Sequence, residues 1–372
     1  MPVEIRDDDF EAFFEVPERV YGRHSRYVSP LRSDLRRALD MRDNPLWGPV
    51  GQGRRRLLTA HRDGRAVGRL VAHVHGASNA RHGWRRAYFG LFDSADDREA
   101  AAALFDAADT FAREQGCDTL VGNFNLTAMQ QMGVVTEGFA HPPYSDMVWN
   151  PPHIPRLLTE LGFTPTFPAT TFEVDLDALD PAQLLTPAAR TQLDAPGLEW
   201  VRLRRRHLSS ALEEIRAVLN DGFARNPMFV PLAAEEMAFQ ARDLSHVIDP
   251  AITALVRDAA GPAGVVLCIP DLNPMLRAMR SRLGWTAPWH LLRQRFRRDR
   301  AVIVFYSVAT RLHGQGLNPA MLYRVLSALK SRGYRRLGLT WIGDENRASL
   351  RQVERLGGMP LHRVHLFERA VT

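Results

Sequence analysis

The stretch that most constrains the fold of this 372-residue chain is AVIVFYSVAT, followed by RLHGQG and LNPAMLYRVLSALKSRGY. Residues Ala301 to Thr310 are almost wholly apolar and β-rich, which predicts a strand. From Asn318 onward, Met321, Leu322, Val325, Leu326 and Leu329 recur at the 3.6-residue spacing of one helix face. Between them, Arg311 to Gly316 predicts a loop. Gly314 and Gly316 let the backbone approach a ligand closely, and the helix start offers unpaired NH groups and a positive dipole end to an anion. Pro319 falls in the first turn, where a missing NH costs little. The stretch reads as a strand-loop-helix cradle for a phosphate, although a tight turn without a ligand has the same spacing. It is not a Walker A loop, since no Gly-Lys-Ser/Thr follows, nor the dinucleotide fingerprint, whose third glycine comes later.

The rest of the chain repeats the setting of this element. The run RRRLLTAHRDGRAVGRLVAHVHG predicts a hairpin turning at Asp63-Gly64. A strand from Arg86 to Phe92, a helix from Glu99 to Glu114, a strand from Thr119 to Asn123, a helix from Ile154 to Leu161 and a strand from Thr170 to Val174 follow. After residue 197 a similar order recurs. A strand from Leu198 to Leu208 and helices from Ser210 to Phe223 and Ala233 to His246 precede a hairpin from Ile252 to Ile269, turning at Gly261-Pro262. Then come the cradle, a strand from Leu337 to Ile342, a helix from Arg347 to Leu356 and a strand from Leu361 to Phe367. Repetition on this scale implies duplication. The expected fold class is α/β in two tandem domains, each a twisted mixed sheet flanked by helices. Residues 1–174 would form the first domain and residues 198–372 the second. Residues 175–197, with three prolines and no consistent period, would link them. Residues 1–50 read as helical with irregular connections.

The halves differ where an anion would sit. The first carries Asp93, Asp96, Asp97 and Glu99 around its matching helix start. Carboxylates there satisfy the dipole themselves and repel a pyrophosphate, so the first domain reads as a copy that does not bind an anion at this position.

The form R-x-x-G-x-G, as Arg311, Gly314 and Gly316 between strand and helix, resembles the acyl-CoA pyrophosphate loop of the GNAT superfamily of N-acyltransferases. Asn346-Arg-Ala-Ser349-Leu350, with Leu356-Gly357-Gly358 beyond, is similar to the GNAT segment in which an Asn opens a helix after the fifth strand. Asn346 is equally a good N-cap and Gly357 a good C′ residue. Segments such as GNFNLTAMQQMGVVTEGF and CIPDLNPMLRAMRSRLG resemble a group of bacterial double-GNAT proteins that includes the ceramide synthases. The resemblance implies acyl-CoA or acetyl-CoA as donor and no metal. It implies contacts from Val308, Arg311, Leu312, His313, Gly314, Gln315, Gly316, Leu317, Asn346 and Ser349, with Val308 supplying a strand amide to the thioester carbonyl. The family's frequent tyrosine acid, seven residues after the Asn, is here Val353, so no general acid is assigned.

The implied activity is transfer of the acyl group to a primary amine, with a sphingoid base as one acceptor and a small amine or peptide as the alternative. A non-catalytic acyl-CoA sensor is a further alternative, and transfer from aminoacyl-tRNA is less favoured. A base must take the amine's proton. Tyr306, Asp271 beside Asn273, and Glu235 or Glu236 are candidates. Each has an ordinary structural alternative: core for Tyr306, turn or N-cap for Asp271, helix N-terminal charge for Glu235.

A net charge of +6 suits an anionic partner. With no RRM, zinc-finger or helix-turn-helix signature, nucleic acid is not expected. The segment from Pro274 to Arg300 holds eight arginines against one aspartate, interleaved with Trp285, Trp289, Leu291, Leu292 and Phe296. That pattern fits either a membrane interface or a solvated basic helix whose tryptophans pack inward. No run reaches the length of a membrane span, and Met1-Pro-Val-Glu-Ile-Arg lacks a signal-peptide layout. The expected location is the cytoplasm, with peripheral contact through residues 277–300 on the inner face of its membrane. Cys117 and Cys268 lie in or beside apolar stretches and read as buried thiols rather than a disulfide or metal pair.

Overall fold

A computed structural model describes residues 2–127, 129–201, 203, 208–224, 226, 228–296 and 298–372. The first half contains strands β1 (Glu4–Asp7), β2 (Arg54–Arg62), β3 (Arg65–Val74), β4 (Arg86–Ser94), β5 (Thr119–Gly122), β6 (Val134–Glu137) and β7 (Thr164–Asp175). Its helices are α1 (Phe10–Tyr21), α2 (Arg32–Leu39), α3 (Gly76–His82), α4 (Arg98–Glu114) and α5 (His153–Glu160). Helix α6 (Pro187–Asp194) leads into the second half. There β8 (Glu199–Val201), α7 (Leu208–Gly222), α8 (Ala234–Val247), β9 (Ala254–Asp258), β10 (Gly261–Pro270), α9 (Asn273–Ala278) and α10 (Ala287–Phe296) precede the cradle. The cradle is β11 (Arg300–Val308) and α11 (Leu317–Ser331), followed by β12 (Arg336–Gly343), α12 (Arg347–Arg355) and β13 (Met359–Ala370).

The expected duplicated α/β architecture is present as one continuous sheet. Its order is β1-β2-β3-β4-β5-β13-β7-β12-β11-β10-β9-β8, with β6 beside β13. Each half builds an antiparallel hairpin (β2-β3, β9-β10), then a parallel pair joined by a crossover helix (β4-α4-β5, β11-α11-β12). The halves then exchange strands. The first half's β7 pairs with β12, placing Val174 opposite Leu337, and β13 pairs with β5, placing Phe367 opposite Gly122. Strands β7 and β13 also pair with each other, which closes the seam. This two-sided pairing makes each of them 12 residues long, beyond the shorter strands that periodicity predicts.

Helices cover both faces. Helix α4 packs on β2 to β4 over one core, and α11 on β9 to β12 over another. The opposite face carries α1 and α2 in the first half and α7 and α8 in the second. Met321, Leu322, Val325, Leu326 and Leu329 are all buried beneath α11. At roughly 1.5–3 kcal/mol for each such side chain, this burial seats the helix against the sheet.

Several local expectations shift for identifiable reasons. The 252–269 hairpin turns at Ala259-Ala260 rather than Gly261-Pro262, because Asp258 Oδ1 accepts the Ala260 amide (2.8 Å). Strand β8 stops at Val201, where Leu203 N turns back onto Val201 O (3.0 Å); residues 202 and 204–207 of that predicted strand lie outside the described residues. In the segment 175–197, Thr186 Oγ1 caps α6 and Pro187 occupies its first turn, so the proline starts a helix instead of breaking one. Leu176, Leu179 and Leu184 from this segment are buried in the second core.

Candidate functional site

Both crossovers contain the same device, a parallel strand pair that opens partway along. Strands β11 and β12 pair from Arg300↔Arg336 to Ile303↔Leu339 and then part. Val304 forms a bulge at the parting point, where the β10 register jumps between Leu267 and Cys268. Beyond it, Ala309 N donates to Ala263 O (2.8 Å). Alternation in an antiparallel ladder therefore gives Phe305 and Ser307 to β10 and turns the amides of Tyr306 and Val308 toward the opening. Across it stands Thr340, just beyond the last ladder pair of β12, whose hydroxyl donates to Val304 O (3.3 Å).

The loop beyond the strand is held from three sides. Arg311 donates to Asp258 Oδ1 (2.7 Å), Pro262 O (3.1 Å) and Gly261 O, so it ties the loop to the β9-β10 turn rather than extending freely. That hydrogen bond also holds the Asp258 carboxyl below its ordinary range. Asp221, at the end of α7, accepts the Thr310 amide (2.6 Å) and hydroxyl (3.2 Å). The His313 ring lies 3.0 Å from Val308 O. Helix α6 flanks the far side: Gln192 donates to Gln315 O (3.1 Å), and a Cβ on Gly316, whose φ is +90°, would stand 2.6 Å from the Ala188 carbonyl carbon. Gly314, at φ +76°, has no neighbour within 4 Å of such a position. Among the described residues the amides of Gly314, Gly316, Leu317 and Asn318 have no protein acceptor. They leave a helix start with unpaired amides, an arrangement whose dipole and donors suit an anion. Leu312 is part-buried against the second core, and Leu317 is fully buried.

Other candidates fall around this centre or away from it. Tyr306 donates its hydroxyl to Asn318 O (2.8 Å) and also meets Asn318 Oδ1, which Gln352 shares. Burial raises its pKa strongly, so Tyr306 braces the first turn of α11 as a neutral phenol. Asn346 caps α12 by accepting the Ser349 amide (3.1 Å); Asn346 is exposed and Ser349 half-buried. Val353 is buried and leaves no ionisable group at its position.

Asp271 lies at the opposite end of β11, where its amide bonds Arg300 O. It is thus eight residues, or roughly 26 Å of strand, from Val308. Its Oδ1 accepts from Ser145 N (2.9 Å), Ser145 Oγ (3.0 Å) and Asn273 N (3.2 Å), while Arg300 Nε stands 3.4 Å from Oδ2. Burial raises its pKa against the pull of Arg300. The structure therefore brings Asp271 and Asn273 to the seam between halves and not to the loop. Glu235 is exposed on α8.

Glu236, one residue on, lines an apolar cleft of about 570 Å³, counting its open mouth. Tyr88, Phe124 and Leu126 form one wall; Met228, Val230 and Leu232 form the other. Burial raises the Glu236 pKa, although its Oε2 accepts from Ala233 N (2.9 Å). His75, across the cleft, is held neutral by burial, its pKa lowered to about 4. Met228 and, from β12, Trp341 both pack against the buried cluster of Tyr88, Val121, Phe124, Met132 and Leu366.

The first half gives the freed amides at its matching opening side-chain acceptors of its own, beside a cavity of about 610 Å³, counting its open mouth, lined by Leu91, Phe92, Asn123, Asn125 and Gln131. Its β4-β5 ladder ends at Phe89↔Gly122. Asn125 Oδ1 accepts the Leu91 amide (2.8 Å) and Asn123 Oδ1 the Phe92 amide (3.3 Å). Asn123 donates to Asn125 (2.9 Å), which donates to Gln131 (3.0 Å). Below it, Arg69 is completely buried against Asp93 and Tyr27. Asp97 caps α4 through the amides of Glu99 and Ala100 and pairs with Arg62. Sequence reading missed the asparagine plug, because Gly-Asn-Phe-Asn-Leu-Thr has the composition of an ordinary loop. The two cysteines are free and buried, and among the described residues no group of three or more His, Cys, Asp or Glu could hold a metal ion.

This arrangement, two strand-splay crossovers fused through exchanged strands, is the fold of tandem GNAT proteins. A solved tandem GNAT protein from the clavulanic acid biosynthesis pathway superposes with a TM-score of 0.59 at 16% identity, covering 100% of this chain and 99% of the other. The chain is also similar to protein YghO of Escherichia coli, 23% identical over 99% of this chain and 94% of that protein. The bacterial ceramide synthase of Caulobacter vibrioides is 24% identical over 98% and 95%. No family model matches the sequence.

Proposed function

We propose that the protein is an acyl-CoA-dependent N-acyltransferase that uses only its second half for the donor and takes a long-chain primary amine, such as a sphingoid base, as acceptor. One observation carries the donor assignment. The second opening presents the amides of Tyr306 and Val308 beside a helix start whose amides are unpaired, whereas in the first half Asn123, Asn125 and Asp97 accept the corresponding amides. Gly314, Gln315, Gly316 and Leu317 would hold the pyrophosphate, with Arg311 and His313 fixing the loop. The Val308 amide would donate to the thioester oxygen as charge develops there. Asn346 and Ser349 would flank the pantetheine arm.

The acceptor class rests on the cleft between halves, whose apolar walls suit an alkyl chain and whose only carboxylate among the described residues is Glu236. Glu236, its pKa raised by burial, would take the amine's proton, and the departing thiolate needs one proton in turn. The proton count therefore closes without a residue at Val353. The name of the Caulobacter relative supports a lipid amine, and the relationship is distant. A thiol-release assay tests this reading, with acetyl-CoA and a long-chain acyl-CoA each set against sphinganine, spermidine and a peptide amine. Turnover with the long-chain pair is expected; turnover confined to acetyl-CoA and spermidine would overturn the lipid acceptor.

A further inference from the structure

The segment between β10 and β11 is a pair of short helices, and the second faces the wrong way for a core element. Helix α10 is held by Ala287, which is buried against Met275 and Met279, and by Gln294, which donates to Asp271 O (2.8 Å). At 100° per residue, Ala287 and Gln294 point the same way, and Trp289, Leu292 and Phe296 fall in a stripe on the far side, with Trp285 in the turn just before the helix. That stripe is bare. Trp285 is 94% exposed, Phe296 78%, Trp289 63% and Leu292 48%, with Leu283 at 61% just before the helix. Scattered exposed apolar residues need no explanation, but a contiguous aromatic stripe marks an interaction surface.

Charge selects the partner. The segment from Pro274 to Arg300 has Asp299 as its single carboxylate. Arg277 and Arg282 brace it against the first half, through Ser25 O and Arg26 O and through Glu15. Arg280, Arg293 and Arg298 are exposed and have no ion pair among the described residues. A second copy docking through the same stripe would set these arginines against their own counterparts. A nucleic acid would satisfy the arginines and leave the tryptophan and phenylalanine wet. An anionic bilayer satisfies both, taking aromatic rings into the headgroup boundary and arginines at the phosphates.

We propose that α10 and the turn before it are a docking surface for an anionic phospholipid membrane. This surface is independent of the acyl-transfer reading, because binding to vesicles requires no turnover. The test is flotation of the full chain with phosphatidylcholine vesicles, with and without 30 mol % phosphatidylglycerol as a chosen assay composition. Binding to the anionic vesicles is expected and should weaken with added salt. Replacing Trp285, Trp289 and Phe296 together by alanine should abolish it. Replacing Arg280, Arg293 and Arg298 by glutamine should weaken it by about fivefold per arginine. These residues are exposed and lie outside the cores, so both variants should keep the parent's circular dichroism spectrum and urea unfolding midpoint, which confirms folding whether or not the chain binds coenzyme A. No flotation with anionic vesicles would overturn the proposal, as would undiminished flotation of the aromatic variant. A dimer in solution that the aromatic variant dissolves, without vesicle binding by the parent, would assign the stripe to a second copy instead.

Discussion

The two openings in the sheet have the same ancestry in topology and opposite fates. In each, a parallel ladder of four pairs ends and the strands part. The first uses Asn123 and Asn125 to take the freed amides of β4, then places Asp97 on the amides at the start of α4. The second leaves the Tyr306 and Val308 amides facing the gap and the helix start unpaired. Buried amides need acceptors, so an opening without internal acceptors is stable only when water or a ligand supplies them. A chain can therefore keep two copies of one scaffold and let side-chain oxygens decide which copy has its amides already paired.

The most severe way to break this contrast is to plug the second opening as the first is plugged. Thr340 follows the last ladder pair on β12 as Asn123 does on β5. Thr340→Asn should place an amide oxygen on a β11 amide and lower acyl transfer by on the order of a hundredfold, the effect of losing one oxyanion donor. Coenzyme A affinity should change little, because the loop is untouched. Unchanged turnover would mean that chemistry occurs elsewhere. The mirror experiment opens the first copy. Asn125→Ala strips the Leu91 amide of its acceptor and should cost about 1–3 kcal/mol in urea unfolding. The stoichiometry should stay at one coenzyme A per chain, because Asp97 still occupies the helix start.

Local features were legible in the sequence and long-range ones were not. The cradle could be read because strand, loop and helix are consecutive and each carries its own periodicity and glycine placement. The strand exchange could not, since pairing Val174 with Leu337 or Phe367 with Gly122 depends on register across more than a hundred residues. Adjacent Glu235 and Glu236 differ by 100° on α8, and only the helix's rotational setting shows that the second lines the cleft. The basic aromatic segment was visible as composition, but its outward face depends on Ala287 and Gln294 packing inward. A carboxylate at Gly316 would add negative charge at the helix start, but packing against Ala188 makes any side chain there a steric change as well.

Gln315 separates the two effects. It is exposed, its backbone needs no glycine, and its side chain bonds only Arg311 O among the described residues. Gln315→Glu adds one negative charge beside the unpaired amides and should weaken coenzyme A binding by about tenfold, less at high salt. Asp97→Asn in the first half should leave that affinity unchanged. Calorimetric titration of both variants distinguishes a single donor site from two.

The smallest effect concerns the seam. Asp146 sits beside Ser145, the residue that holds Asp271, with φ +66° and no hydrogen-bond partner among the described residues. Burial pushes its pKa from an ordinary 3.8 up to about 7. The folded state thus binds this proton more tightly than the unfolded chain does. Its stabilising contribution is complete below about pH 3.8, declines as pH rises, and is gone above about pH 7. Asp146→Asn removes the charge and keeps the shape, so it should raise stability at pH 8 by on the order of 1 kcal/mol and have almost no effect at pH 4. The side chain keeps some exposure, which holds the gain below that of complete desolvation. Urea unfolding of parent and variant at both pH values reads the difference. An equal effect at pH 4 and pH 8 would mean that the loop's backbone strain at this position, rather than the carboxylate's charge, sets its cost.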